Sequence, residues 1–268
     1  VSKFIVVESK FSHSGREKKL NFDINNYKKF KDKIIYLVIE KEPENILKID
    51  DSGDSLGIQR LNSLKRIEQS YDFIQNGLNE ANENDLILLS DNDEIPNLDS
   101  DKFVKSNKDI FIFRQLFFYY KFNLLYNSMF WHGTKACKKK KLVSMSWLRN
   151  LKNKKYPFWR FDTLFSKNKY TNLEIIENGG WHFTNLKSPE DLFEKMKNFG
   201  HHNEFDKSGI GIEDIRKKIE KHELFYDHFL DQSDPKKWNS NYKLKKTELN
   251  ILPKYIQENE SNLKDWLA

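Results

Sequence analysis

"DLILLSDNDEIPN", Asp85 to Asn97, carries four aliphatic residues, Leu86 to Leu89, straight into Asp91, Asn92, Asp93 and Glu94 and stops at Pro96. A short apolar run bounded by polar residues reads as a strand buried on both faces. Acids crowded at the end of such a strand repel one another unless something offsets them, and a cation is the obvious candidate. Asp91 and Asp93, two apart in an extended segment, project the same way and could share one hard divalent ion whose remaining positions take water and phosphate oxygens. The same triplet also serves as an Asx-rich turn that satisfies its own backbone.

Working outward, "FIVVES" (Phe4 to Ser9) and "KIIYLVIE" (Lys33 to Glu40) have the same β-branched, continuous apolar character. Between the second of these and Leu86, the residues Ile58, Leu61, Leu64, Ile67, Tyr71, Ile74 and Leu78 recur at three- and four-residue steps, one face of a long helix packed on a sheet. Strand, helix, strand predicts a parallel crossover, and in a parallel sheet the ligand crevice lies at the carboxyl ends of the strands, where Asp91 to Asp93 fall.

After Pro96 the pattern changes. "DIFIFRQLFFYYKF" (Asp109 to Phe122) predicts a long aromatic strand and "LEIIENGGWHF" (Leu173 to Phe183) a later one. Ser188, Pro189, Glu190 and Asp191 supply a cap, a first-turn proline and early acids for a helix that Gly200 would close, and a second helix is predicted over Ile212 to His222. No internal repeat and no linker rich in glycine, proline or serine interrupts the chain.

Composition sets the class. The 268 residues are 38% hydrophobic and 14% aromatic, enough for one large core, and the net charge of +6 is dispersed apart from the lysine run Lys138 to Lys141, which reads as a solvated loop. Cys137 is the sole cysteine, which excludes an internal disulfide or a thiolate zinc site and points to a reducing, cytoplasmic setting. No apolar segment approaches the roughly 18 residues of a membrane span. The chain enters "KFIVVES" directly after Val1 and Ser2, as if opening inside a domain.

Three further stretches offer chemistry. In "ENGGWHF", Gly179 and Gly180 mark a bulge or a close approach to the backbone, while Trp181 gives a flat apolar face and His182 an imidazole for a metal or phosphate; a packed tryptophan beside a hydrogen-bonded histidine is the plainer alternative. In "NFGHHNEFD", His201, His202 and Glu204 are predicted in the loop after the capped helix, where a carboxylate or imidazole could act as general base, unless the loop is only a polar surface. In "SWLRNLKNKKYPFWRFD", Arg149 and Arg160 lie among aromatics, suited to a diphosphate or to a nucleic-acid backbone with stacked bases.

With these pieces in order, the chain resembles glycosyltransferase family 17, the β-1,4-mannosyl-glycoprotein β-1,4-N-acetylglucosaminyltransferases and their bacterial and viral relatives. The matching pieces are "KFIVVESKFSHSGREKKLNF", "DLILLSDNDEIPN" and "FWRFDTLF" through "ENGGWHFTNLKSPEDLFEKMKNFGHHNEF", and they extend to about His222. The resemblance implies an α/β, GT-A-like (Rossmann-like) nucleotide-sugar-binding sheet fused to an α+β acceptor half in one compact domain over 1–230, with 231–268 a C-terminal helical extension. It implies inverting transfer, assisted by Mn2+ or Mg2+, from a UDP-sugar, with N-acetylglucosamine as the sugar of the best-known members, to a glycan acceptor. Asp91 and Asp93 match the metal-binding acidic motif, His182 resembles the histidine that such enzymes place near the metal or diphosphate, and Glu8 falls where they hold the nucleoside. Arg149, Arg160, Gly180 and Trp181 complete the expected donor site, with Asp91 shared between donor and metal.

The chain departs from the family pattern at Tyr71, near a position that tends to be basic, and in "FGHHNEF", one residue longer than the usual run. Glu204 is the expected base, with His202 behind it and Asp162, Glu94 and Glu177 as competitors. Two other readings compete: a metal-dependent phosphohydrolase, which usually needs a fuller ligand set, and a single-stranded nucleic-acid-binding protein, favoured by a pI near 9.0. Neither nucleic acid nor a membrane span is expected of the leading reading.

Overall fold

The computed structural model describes residues 1–48, 55–157, 159–198, 202–231, 234–238 and 240–268. They fall in two compact units, one of 1–82 with 144–146 and 194–207, the other of 83–143 with 147–193 and 208–268.

In the first unit, β1 (Phe4–Ser9) and β2 (Ile34–Ile39) pair in parallel from Phe4 opposite Ile34 to Ser9 opposite Ile39. Both are half-buried for most of their length rather than enclosed on two faces. A 3-10 segment, Ile24–Lys33, connects them. Helix α1 (Ser55–Asp72) follows and runs into a 3-10 turn, Phe73–Gly77. Its docking differs from the predicted apolar face: Leu61 and Leu64 are 49% and 53% exposed. The rest of that face, Ile58, Ile67, Tyr71 and Ile74, is half-buried and Leu78 is buried, and polar residues add to the docking. Asn62 closes a two-bond ring with the backbone of Leu47, both bonds 2.8 Å, Ser63 Oγ donates to the His13 carbonyl, and Arg66 forks onto both oxygens of Glu42. Periodicity records only apolar spacing and carries no trace of such bonds.

The second unit is built on an eight-stranded mixed sheet. Its strands are β3 (Leu86–Leu89), β4 (Glu94–Pro96), β5 (Ile110–Tyr119), β6 (Leu124–Leu125), β7 (Trp131–Lys138), β8 (Leu173–Ile176), β9 (Gly180–Thr184) and β10 (Lys245–Lys246). The main path runs β10-β6-β5-β7-β3, with β8 and β9 parallel to successive halves of β5 and β4 antiparallel to β9. The predicted parallel crossover into Leu86 is corrected here: β3 pairs antiparallel with β7, Leu86 opposite Lys138 and Leu89 opposite Lys135.

β5 is buried on both faces. Phe111 and Phe113 pack with Ala136 and Ile176, while Phe118 packs with Phe183, Leu252 and Ile256. The last two come from the C-terminal segment, where β10, a 3-10 turn (Leu249–Ile251), α7 (Lys254–Glu258) and a final 3-10 turn (Glu260–Trp266) follow one another.

Among the described residues the five other helices are α2 (Asp101–Val104), α3 (Met145–Arg149), α4 (Pro189–Asn198), α5 (His202–Ser208) and α6 (Ile212–Glu220). α4 starts where the sequence puts it, with Ser188 Oγ accepting the Asp191 N–H at 3.1 Å. Gly200, the predicted helix stop, lies outside the described residues, as does His201. His202 and Glu204 belong to α5, where the sequence predicts a loop.

The predicted strand over Leu173 to Phe183 is two strands, because the chain turns at Asn178 (φ 51°). The glycines that follow serve close approach. A Cβ on Gly180 (φ 123°) would lie 2.1 Å from the Ile95 carbonyl, and one on Gly179 would lie 2.7 Å from the Arg114 nitrogen. Gly180→Ala is therefore expected to cost about 3 kcal/mol or more in a denaturation experiment, since a left-handed backbone and a clash with fixed backbone act together.

Candidate active site

The stretch quoted first ends β3 at Leu89 and enters β4 at Glu94 through a tight turn. The turn is closed twice: the Glu94 N–H donates to the Asp91 carbonyl and the Asp91 N–H donates to Glu94 Oε2, each at 3.1 Å. Beyond it, β4 pairs with β9 so that Glu94 sits opposite His182, and the Phe183 N–H donates to the Asp93 carbonyl at 2.8 Å. The acidic turn and the "GGWHF" strand are thus adjacent strands of one sheet.

Each of the three acids is offset differently. Glu94 points inward and is 7% exposed; its Oε1 accepts from Trp131 Nε1 at 2.8 Å. Burial first, and the Asp91 charge second, push its carboxyl up to about 7. Gly133 makes room for it, since a Cβ there would lie 2.3 Å from Glu94 Oε1. Asp91, partly exposed, pairs with Arg149 Nη2 at 3.3 Å. Asp93, also partly exposed, has its Oδ1 3.7 Å from Nδ1 of the buried His182. The imidazole stacks on Trp131 with centroids 4.6 Å apart and 20° between planes.

Arg149 is held from behind. Lys135, 2% exposed on β7, donates from Nζ to the carbonyls of Arg149 and Leu151, both at 2.7 Å. Burial and the neighbouring Arg149 charge lower this ammonium to about 8. Two carbonyls, that of Leu151 buried and that of Arg149 partly so, would lose their donor in Lys135→Met, so a loss of about 2 kcal/mol is expected in urea denaturation. Activity should fall beyond what the lost stability explains, because the Arg149 backbone is then untethered beside Asp91.

Of the residues singled out from sequence, Asp91, Asp93, His182 and Arg149 come together, with Glu94 beneath them. Trp181 does not join them. It lies on the opposite face of β9, donates to the Ile251 carbonyl at 2.7 Å and packs against the Phe118 and Phe183 cluster. Gly180 serves the β4–β9 contact. Arg160 and Asp162 fork onto each other at 2.7 and 2.9 Å, Lys169 adds a third bond, and the Asp162 carboxyl lies far below its usual range because of these hydrogen bonds. Glu177 pairs with Arg114 at 2.7 Å. Glu204 is half-buried on α5 in the other unit.

Glu8 is engaged within the first unit, where it accepts from Lys18 Nζ, the Asn21 and Phe22 N–H groups and the Tyr36 hydroxyl at 2.8 to 3.0 Å. Burial alone would raise its carboxyl, but Lys18 and the other donors outweigh it and bring it down to about 2. A depressed carboxyl stabilises the fold above its unfolded value and loses that contribution as pH falls toward the folded one. Stability is therefore expected to drop by about 2 kcal/mol between pH 4.5 and 2, allowing for solvent screening, and Glu8→Gln should flatten that part of an acid-denaturation curve.

Sequence reasoning missed β7 altogether, and with it Trp131, Gly133 and Lys135. "WHGTKACK" breaks alternation with a glycine and a lysine; the usable signal was that lysine, enclosed by small and apolar residues.

Among the described residues, no group of three or more His, Cys, Asp or Glu gathers as a metal cluster, and no helix is long and apolar enough to cross a membrane. Comparison with protein families places the chain among sugar-transferring enzymes. The chain belongs to glycosyltransferase family 17, whose model matches residues 1–264. No curated protein and no solved structure matches it.

Proposed function

We propose that the chain transfers a sugar, with inversion, from a UDP-sugar to a glycan hydroxyl in a GT-A-like arrangement, with Mn2+ or Mg2+ held at Asp91 and Asp93. The observation that carries the reading is the acidic turn itself: two partly exposed carboxylates, set between Arg149 and His182, close the end of a core strand. Two carboxylate side chains are a hard-oxygen set that fits Mg2+ or Mn2+ binding with much of the shell left to water and diphosphate oxygens. They fit a cage of protein ligands poorly, which speaks against the phosphohydrolase alternative. Such an ion would stabilise charge on the departing diphosphate.

The chain's own residues do the rest. Arg149 adds a fixed positive charge beside Asp91, so a diphosphate meets a site whose acids are already partly neutralised. His182 lies beside Asp93 on the buried side, Nδ1 3.7 Å from Oδ1, and Glu94 fixes the turn. Glu204, singled out by sequence, remains the proposed proton acceptor. Asp162, tied to Arg160 and Lys169, is a poor base at neutral pH. Glu204→Gln is expected to slow transfer about 10²-fold with UDP binding retained; normal transfer across the pH range would remove the assignment.

The test is binding of UDP and a panel of UDP- and GDP-sugars with Mn2+, with Mg2+ and in EDTA. Metal-dependent binding of UDP compounds supports the reading. Affinity for single strands that persists in EDTA and falls steeply with salt would favour the nucleic-acid alternative.

A further inference from the structure

We propose that the 3-10 segment Ile24–Lys33, with Phe4 beside it, is a docking face for an anionic membrane surface. The segment "INNYKKFKDK" has no buried residue, and Lys28, Lys29, Lys31 and Lys33 face Asp32 as its only acid. All four lysines are exposed, and among the described residues none pairs with a carboxylate; Lys33 reaches only the Val1 carbonyl. Exposed aromatics lie among them. Tyr27 and Phe30 are 48% and 43% exposed, Phe4 is 41% exposed, and Phe4 and Phe30 meet edge to face at 6.3 Å.

A single exposed aromatic needs no explanation, but a run of lysines around touching aromatics is the composition that lies in a lipid interface, rings at the headgroup level and ammonium groups among the phosphates. Lys29 Nζ, 5.8 Å from the Phe30 centroid, can follow its stem along the ring while its head stays in water. Charge complementarity selects the partner. Each lysine near an anionic leaflet strengthens binding about fivefold.

A single-stranded nucleic acid fits less well. The segment has no arginine fork, and the Tyr27 ring is already stacked on Phe22 at 5.2 Å with 12° between planes, leaving one face for a base.

The test is flotation of the full chain with phosphatidylcholine vesicles, with and without phosphatidylglycerol, at low and high salt. Wild-type protein should float only with the anionic vesicles and lose binding as salt rises. The triple variant Lys28→Gln, Lys29→Gln, Lys31→Gln, checked for an unchanged melting temperature, should bind about 10²-fold more weakly. The control Lys139→Gln, Lys140→Gln, Lys141→Gln removes equal charge elsewhere and should change binding by no more than about twofold. The proposal is overturned if the protein does not prefer anionic vesicles, or if the control weakens binding as much as the triple variant. It is also overturned if the triple variant binds like wild type, or if the same lysines bind single-stranded RNA while vesicles stay unbound.

Discussion

Asp93→Asn is expected to reduce sugar transfer by about 10³-fold while leaving the melting temperature within a degree or two of wild type. The side chain is partly exposed, its oxygen lies 3.7 Å from His182 Nδ1, and no core volume is lost by the change. Removing one of the crowded negative charges relieves repulsion, so folding is not harmed. The same change removes a charged oxygen donor from the proposed divalent-ion site, where an amide is a poorer ligand. Asp91→Asn should behave alike in rate, with one difference: Arg149 loses its ion pair and is left beside a neutral amide. Steady-state kinetics with a thermal melt on the same preparations decide this. Transfer at the wild-type rate with an unchanged metal requirement would remove both acids from the reaction.

Glu94→Gln is the second large effect, and it should reach stability as well as rate. The carboxylate accepts from Trp131 Nε1 with one oxygen and from the Asp91 N–H with the other. A glutamine can match only one of these, because its NH2 group then meets a donor. The mismatch is buried, since Glu94 is 7% exposed, so about 2 kcal/mol of stability should be lost. Rate should fall about 10²-fold because the turn that presents Asp91 and Asp93 loosens. Glu94→Gln is expected to raise the metal concentration needed for half-maximal activity, which a purely structural loss would leave unchanged. Trp131→Phe, which removes only the indole donor, should reproduce a smaller version of both effects.

The parts of this architecture that were legible in the sequence are those fixed by neighbours along the chain. β1, β2 and β3 stand within a residue or two of their apolar runs, and α4 begins at the Ser188 cap because a side-chain oxygen and a first-turn proline act locally. The acidic turn was legible for the same reason. What was lost depends on partners far away. β3 pairs with β7 rather than continuing a parallel crossover, and nothing local to Leu86 specifies that neighbour. Lys135 is tolerated in a buried strand only because two carbonyls from 149 and 151 come to meet it. The exposed Leu61 and Leu64 show the converse, two apolar positions of the predicted face left outward beside the polar contacts of Asn62, Ser63 and Arg66. Trp181 and His182, adjacent in sequence, separate to opposite faces of β9 as alternation requires, so only one of the pair could share the acidic turn.

The most direct measurement is a crystal grown with UDP and Mn2+ and examined at a wavelength where manganese scatters anomalously. One strong peak is expected, bound to a carboxylate oxygen of Asp91 or Asp93 and to the diphosphate, on the partly exposed side of the turn and away from Glu94. Bound UDP with no manganese at this turn, or a manganese peak held by other residues, would contradict that expectation.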